Sequence, residues 1–334
     1  MGMYDHTFHQ EDLSNYSFLI TGGAGFIGSN IVEYLLKYGA KEVRVLDNLS
    51  TGNFDNLKAF EGLSNFQFIE GDIRDTEVCQ HACKNIHYVS HQAALGSVPR
   101  SINDPATSNA VNISGFLNMM IAAKDNKVKG MVYASSSSVY GDSKILPKQE
   151  DNIGNPLSPY AVTKLVNEQY ARVFGNVYGL KLIGLRYFNV FGPRQSPQGP
   201  YAAVIPLFIQ ALMEDRSPTI FGDGEQTRDF TFIENVVQAN VKALFAHQEE
   251  AWGEAYNIGV GGRTSLNTLY QILKKKAGKD LSVHYGDPRI GDVRDSLADI
   301  SKAENLFGYH PQIAIEEGLQ ITLDWFTNRQ TLIN

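Results

Sequence analysis

Tyr160 and Lys164 stand four residues apart, a spacing that puts a phenol and an ammonium on one face of a helix. A cation held beside a phenol lowers its pKa and makes Tyr160 a usable base near neutral pH. Pro159 suits the position just before such a helix begins. On its own, the pair is ordinary surface chemistry. The run Ser135-Ser136-Ser137-Ser138 changes its weight, because it ends a predicted strand upstream of Tyr160. A serine hydroxyl there can hydrogen-bond a reacting oxygen whose proton the phenol takes.

A second constellation lies near the N-terminus. Gly22-x-x-Gly25-x-x-Gly28 falls between a predicted strand, Ser17–Ile20, and a predicted helix over 26–38. The first glycine permits the tight turn and the second lets backbone approach a pyrophosphate. The third allows close helix–strand packing, with the helix N-terminus facing the negative charge. The next predicted strand, Glu42–Leu46, runs into Asp47. A carboxylate there accepts hydrogen bonds from the adenosine ribose and repels a 2′-phosphate, so the pattern favours NAD over NADP. Asp72 and Ile73 follow a further strand end and are placed to reach the adenine.

Positioning these groups requires a sheet. Phe66–Glu70, Ile86–Ser90, Met131–Ser135 and Lys181–Tyr187 are predicted strands, with helical stretches between them, notably 108–126 and 160–175. Strand and helix in alternation predict an α/β fold, a Rossmann-type doubly wound parallel sheet covered on both faces. After about residue 190 the regularity breaks. Glycine- and proline-rich loops alternate with helices near 202–214, 234–248, 264–277 and 314–328, which reads as a smaller mixed α/β substrate lobe. The expected division is an extension over 1–15, a cofactor domain over 16–190 and a discontinuous substrate lobe over 191–334, whose strands can return to the main sheet. The extension is expected to be flexible or to cover a partner.

The 334 residues, 43% hydrophobic and 19% charged, are enough for a sizeable core. The net charge of −7 and the lack of a basic run argue against a nucleic-acid partner. No apolar run has transmembrane length, and no membrane partner is expected. The cytoplasm is the expected compartment. Cys79 and Cys83, at helical spacing, read as reduced filler. His87 and His91 lie in a strand pattern without an accompanying carboxylate cluster, so no metal site is expected. There is no Gly-x-Ser-x-Gly elbow, and hydrolysis has no support.

The glycine turn, the serine run followed by Val139-Tyr140-Gly141, and the Tyr160/Lys164 pair resemble the extended short-chain dehydrogenases/reductases. Arg186-Tyr-Phe-Asn189, Phe221-Gly-Asp-Gly, Arg228-Asp-Phe and the segment from Gly291 to Asp299 are similar to the nucleotide-sugar 4-epimerase branch, in particular bacterial enzymes acting on UDP-N-acetylglucosamine and UDP-N-acetylgalactosamine. The resemblance implies Ser136, Tyr160 and Lys164 as the catalytic residues, with Ser137 and Ser138 beside them. It implies a tightly held NAD that takes the C4 hydride of a UDP-sugar and returns it to the other face of a 4-keto sugar, with no net redox change. The cofactor residues it implies are Gly22, Gly25, Phe26, Ile27, Gly28, Asp47, Asn48, Ser50, Gly52, Asp72, Ile73, Gln92, Ala93, Ala94 and Tyr187, with Tyr160 and Lys164.

For the UDP-sugar, the resemblance implies Asn189 as a substrate asparagine and Arg228 and Arg289 as the diphosphate clamp, a task suited to planar guanidinium donors. Arg263 is a further candidate, and Ala203, Val204 and Phe221 take the uridine end. Gly96, Ser97, Gln195 and Ala203 match the small or polar walls of the sugar pocket, and Ser136 and Ser137 are further substrate residues. Ser296 matches the family's gatekeeper, where a small residue admits an N-acetyl group and a tyrosine restricts the pocket to plain hexoses. A homodimer through a four-helix bundle, built from 108–126 and 160–175 of each subunit, is the implied assembly.

Three rival readings remain. A 4,6-dehydratase of this branch carries an Asp-Glu pair just after the active-site hydroxyl, where this chain has Ser137-Ser138. A uronic-acid epimerase needs a positive or strongly donating group near C6, for which Arg194 or Lys84 are candidates. An NAD-binding protein without catalysis has no reason to keep Ser136, Tyr160 and Lys164 together.

Overall fold

The computed structural model describes residues 3–198, 202–288 and 294–333. The first strand, β1 (Ser17–Thr21), is buried at every position, as a central parallel strand must be. It leads through the glycine turn into α1 (Phe26–Lys37) and then β2 (Glu42–Asp47), β3 (Phe66–Glu70), α2 (Thr76–Cys83) and β4 (Tyr88–His91). Three short helical segments follow: α3 (Val98–Asn103), α4 (Pro105–Asn109) and a π turn over 110–115 that runs into α5 (Phe116–Asp125). The helix expected over 108–126 is present as one continuous helical run from Pro105 to Asp125, widened in its middle by the π turn. Asp104 caps its start, and the π turn holds Asn112 inward, where its side chain bonds the Leu95 N–H and carbonyl.

Next come β5 (Gly130–Ser136), α6 (Pro159–Tyr178) and β6 (Leu182–Tyr187). Beyond them lie β7 (Val190–Phe191), α7 (Val204–Met213), β8 (Thr219–Phe221), β9 (Thr227–Arg228), β10 (Thr231–Phe232), α8 (Ile233–Leu244) and β11 (Ala255–Ile258). The chain closes with β12 (Thr264–Ser265), α9 (Leu266–Lys276), β13 (His284–Gly286), α10 (Ser301–Phe307) and α11 (Ile315–Ile333).

The main sheet has seven parallel strands in the order β11-β6-β5-β4-β1-β2-β3. The order reverses direction between β1 and β4, and ligands of such sheets bind beyond the strand C-termini at that switch. Helix α8 packs under β4, β5 and β6 and against α1, while α6 covers β5 and β6 and α2 packs on α5. The return of β11 to pair with β6, from residues well past 190, shows that the late part of the chain completes the early sheet. The remaining short strands pair locally, β7 with β10, β9 with β12 and β8 with β13.

The N-terminal segment differs from expectation. It lies packed along α1 of its own subunit. Tyr4 is fully buried and its hydroxyl donates to Asn30 Oδ1 at 2.8 Å. Phe8 stacks on Tyr34 with ring centroids 5.0 Å apart, and its N–H donates to the Tyr34 hydroxyl. These aromatic contacts and backbone bonds hold the extension as a strap. Among the described residues, no helix is long and apolar enough to cross a membrane, and no histidine, cysteine or carboxylate cluster has metal-holding geometry. Cys79 and Cys83 are free and buried, and burial pushes both thiols up to about 12.

Candidate active site

Two clefts open at the C-terminal side of the sheet. The first, about 350 Å³, is lined by Gly22, Gly25, Phe26, Ile27, Gly28, Asp47, Asn48, Ser50, Gly52, Asp72, Ile73, Gln92, Ala93, Ala94 and Gly96, together with Leu46, Thr51, Gly71, Leu95 and Val111. Its walls are backbone. A Cβ at Gly22 would stand 2.7 Å from the Ala93 nitrogen, and one at Gly28 would stand 2.3 Å from the Gly22 carbonyl. Gly22 also has φ of +67°, a left-handed conformation that glycine adopts without strain. Helix α1 starts at an N-cap, Gly25, that offers no side-chain cap, so its first N–H groups face the cleft unpaired by any cap.

Asp47 is 8% exposed and holds the loop around it. Its Oδ2 accepts from the Ala24 N–H at 3.0 Å and its Oδ1 from the Leu49 N–H at 2.8 Å. Burial raises its carboxyl pKa, and those two hydrogen bonds oppose the rise. Asp72 is bound by Arg74 and accepts from Asn48 Nδ2 at 2.8 Å; its hydrogen bonds with Arg74 bring its carboxyl down to about 2. An uncapped helix start, a glycine cradle that a Cβ would fill, and carboxylates opposite it fit a dinucleotide with an adenosine ribose at the Asp47 end.

The second cleft, about 480 Å³, is lined by Asn189, Gln195, Ala203, Val204, Phe221 and Arg228 among others. It is made of side chains from short elements scattered between residues 189 and 266. Asn189 sits at φ +28°, between β6 and β7, and its carbonyl receives the Thr231 N–H. Gln195 Nε2 donates to the Val190 carbonyl, which leaves its buried Oε1 without a partner among the described residues. Gln226 repeats the arrangement, with Nε2 on the Phe221 carbonyl and a buried, unpartnered Oε1. Gln226 was not anticipated from sequence; its place two residues before Arg228 was the available signal.

Asp229 explains the acidic position after Arg228. Fully buried, it accepts from the N–H groups of Val260, Gly261 and Ala298, and so ties the 260–261 turn to the segment carrying Ser296. Ser296 is 9% exposed, its N–H donates to the Thr227 carbonyl, and it lies outside the lining of the second cleft. Arg263 departs from expectation. It does not line the cleft, because its guanidinium is held by Asp295 Oδ1 at 2.7 Å and by the Thr227 hydroxyl. Arg289 lies outside the described residues.

The redox candidates stand at the end of β5. The Ser136 hydroxyl caps the turn that follows, accepting from the Ser138 N–H at 3.1 Å, and lies near enough to the Tyr160 phenol to lower its pKa. Helix α6 begins as expected, with Ser158 as N-cap and Pro159 in its first turn, so Tyr160 and Lys164 share its inner face. Lys164 is buried and its Nζ donates to the Ala134 carbonyl at 2.7 Å, 5.8 Å from the Tyr160 ring centroid. The electrostatics differ from the sequence expectation in sign. Burial pushes the Tyr160 phenol up, and Ser136, rather than the lysine, draws it back. Burial brings Lys164 down to about 8, against the pull of Glu168.

Tyr187 does not line the first cleft. Its hydroxyl lies in a buried ring with Gln92 Oε1 and Asn240 Nδ2. Ser97, next to Gly96, caps α3 at φ +113°, a conformation that costs a non-glycine residue strain. Ser137 opens the short 3-10 turn that follows β5.

Fold and cleft define a dinucleotide-binding protein of the Rossmann class. Over residues 18–259 the chain matches the NAD dependent epimerase/dehydratase family; it belongs to that family, and its cofactor is NAD. It is 37% identical over 313 residues to a UDP-glucose 4-epimerase of Mycolicibacterium smegmatis, covering 93% of this chain and 98% of that one. Among solved structures, a UDP-N-acetylglucosamine 4-epimerase of Methanobrevibacter ruminantium in complex with UDP-N-acetylmuramic acid superposes with a TM-score of 0.89 at 39% identity, covering 94% of this chain and 99% of that one. A UDP-glucuronic acid 4-epimerase of Bacillus cereus, in complex with UDP-glucuronic acid and NAD, gives 0.87 at 34% identity, with 94% and 99% covered.

Proposed function

We propose that this chain is a UDP-sugar 4-epimerase whose preferred substrates are UDP-N-acetylglucosamine and UDP-N-acetylgalactosamine. The observation that carries the reading is the meeting of Ser136 at the end of β5 with the Tyr160 phenol and the buried Lys164 of α6, in a chain that also holds a dinucleotide cleft and a cleft lined by Arg228. Tyr160 takes the proton of the sugar 4-OH. Ser136 donates to the same oxygen and holds it against the phenol. Gly22–Gly28 and Asp47 would hold NAD, which would supply a hydride acceptor and donor for the sugar C4. Lys164 would hold the nicotinamide ribose and offers a cation to a phenolate at Tyr160. Arg228 binds the diphosphate, and Asn189 and Gln195 orient the sugar, which must present either face at C4.

The preference for N-acetylated sugars rests on the resemblance that sets Ser296 at the family's gatekeeper position, where a small side chain admits an N-acetyl group. A uronic-acid substrate is the weaker reading, since the cations considered for its C6 carboxylate are otherwise engaged. Arg194 is directed to Glu33 Oε2 at 2.5 Å and the Ser29 carbonyl, and Lys84 sits at the far end of α2. Purified protein incubated with UDP-N-acetylglucosamine, without added NAD, is expected to yield the C4 epimer. Loss of water instead of epimerisation would identify a dehydratase, and no turnover of any UDP-sugar would sink the reading.

The working unit in this reading is a homodimer in the cytoplasm, with a cofactor domain over 16–190 and a substrate lobe over 191–334. Val162, Tyr170, Val173 and Val177 form an exposed apolar stripe on α6, and Ile121 is exposed on the adjoining α5. Two copies of that face make a four-helix bundle. Val173→Glu is expected to give monomers in sedimentation; an unchanged dimer would remove this interface.

A further inference from the structure

Tyr4 has φ of +62°, and a bulky side chain stays in the left-handed region only where its surroundings over-determine it. Here the Tyr38 hydroxyl donates to the Tyr4 carbonyl at 2.7 Å, and the Tyr4 ring meets that of Tyr34 edge-on with centroids 5.7 Å apart. The Tyr4 hydroxyl in turn donates to Oδ1 of Asn30, a fully buried residue of α1. Asn30 Nδ2 donates to the Phe26 carbonyl at 2.9 Å and to the Pro193 carbonyl at 3.2 Å. A side-chain amide has two N–H donors and one acceptor oxygen, so these three bonds decide which way round it sits. Turned over, its oxygen would face two carbonyls and its N–H groups would face the phenol.

The Pro193 carbonyl belongs to a turn. The Gln195 N–H donates to the Gly192 carbonyl at 3.3 Å, which closes four residues with Pro193 second and Arg194 third. Arg194 has φ of +72°, the value of the third place in a type II turn, where glycine is usual. Types I and II differ by rotation of the peptide between the second and third residues, and the oxygen of that peptide is the Pro193 carbonyl. Asn30 holds this oxygen, while the Glu33 carboxylate and the Ser29 carbonyl hold the Arg194 guanidinium. Ser29, Asn30 and Glu33 all lie on α1. The turn delivers Gln195, which lines the second cleft.

We propose that Tyr4 is a positioning residue: through Asn30 it selects the type II form of the 192–195 turn and so seats Gln195 in the second cleft. The inference rests on the reading of that cleft as the UDP-sugar site. A non-glycine residue at Arg194 favours the type I form, with negative φ, and the turn is kept out of it by what holds the Pro193 oxygen and the guanidinium. Without the Tyr4 hydroxyl, the buried Asn30 oxygen loses its donor. The amide is then free to turn over, its oxygen meets the Pro193 carbonyl, and the peptide is released to rotate. The N-terminal strap thereby reaches the substrate side of the molecule through one helix, although it touches neither cleft.

Tyr4→Phe removes one oxygen and keeps the ring. In protein purified with its own cofactor, its KM for UDP-N-acetylglucosamine is expected to rise about fivefold, the worth of one buried hydrogen bond, with kcat and NAD content unchanged. Tyr34→Phe is the control. The Tyr34 hydroxyl serves the strap at Phe8 and His9, off the route to Pro193, so its loss should lower the melting temperature without moving KM. Asn30→Ala should raise KM at least as far as Tyr4→Phe, and adding Tyr4→Phe to it should add nothing. A folded Tyr4→Phe protein with the wild-type KM, an equal rise in Tyr34→Phe, or independent losses in the double variant overturns the proposal. Failure of Tyr4→Phe to fold assigns the contact to stability alone and also overturns it. Amide hydrogen exchange over residues 190–198 reports the turn without turnover: it should quicken in Tyr4→Phe more than in Tyr34→Phe, and unchanged exchange overturns the proposal. Quickened exchange in a protein whose wild type converts no UDP-sugar would fault the functional reading and leave the link from Tyr4 to the turn standing.

Discussion

The two clefts are built by opposite means. The cofactor cleft is shaped by backbone and by the absence of side chains at Gly22 and Gly28, where an added Cβ would meet main-chain atoms. The second cleft is lined by Asn189, Gln195, Phe221, Gln226 and Arg228 among others, most of them on short elements. Backbone walls leave little scope for change, whereas side-chain walls alter size and polarity with each substitution.

Tyr160 is the proposed base, and its loss should have the largest effect. Tyr160→Phe is expected to lower turnover by roughly 10² to 10⁴-fold, with bound NAD retained in the absorbance spectrum and after acid extraction. Activity near wild type would refute its role as base. Gly28→Ala comes next and tests the backbone wall: its Cβ has no flexible neighbour to displace. Co-purifying NAD should fall to about a tenth or less, at a cost of roughly 1–3 kcal/mol of stability; full retention would break the contrast between the clefts. Arg228→Gln tests the other wall. It should raise the KM for UDP-sugars by about tenfold or more, the worth of a hydrogen bond to a charged group, and leave NAD content unchanged. The smallest effect is expected from Ser296→Tyr, a loss of about tenfold for N-acetylated substrates against little for plain hexoses. Equal losses for both would remove the gatekeeper argument.

The same contrast governs what could be read from the chain. The strand–turn–helix around Gly22, Asp47 at the end of β2 and the serines at the end of β5 were legible because each function is tied to a local pattern. β3 was placed to the residue, since Phe66–Glu70 is bounded by turn residues on both sides. The substrate side was legible only through resemblance. Arg263 illustrates why: nothing in its neighbourhood in sequence announces Asp295, the carboxylate that holds it. The sign of the effect on Tyr160 was missed for a related reason, because burial of a phenol depends on packing against distant strands. The strap over residues 3–15 was missed because its partners, Asn30 and Tyr34, look like unremarkable helix positions.

One feature of the sheet bears on how this chain can be recombined. Strand β11 supplies the neighbour of β6, and it arrives some seventy residues after β6 leaves the sheet. A fragment cut after residue 190 would leave the edge of β6 bare, with open N–H and carbonyl groups ready to recruit another strand. Chimeras that exchange the proposed substrate lobe with a relative therefore need to graft it in two pieces, 191–254 and the chain after 258, keeping Ala255–Ile258 with the host sheet, instead of joining two halves at a single seam.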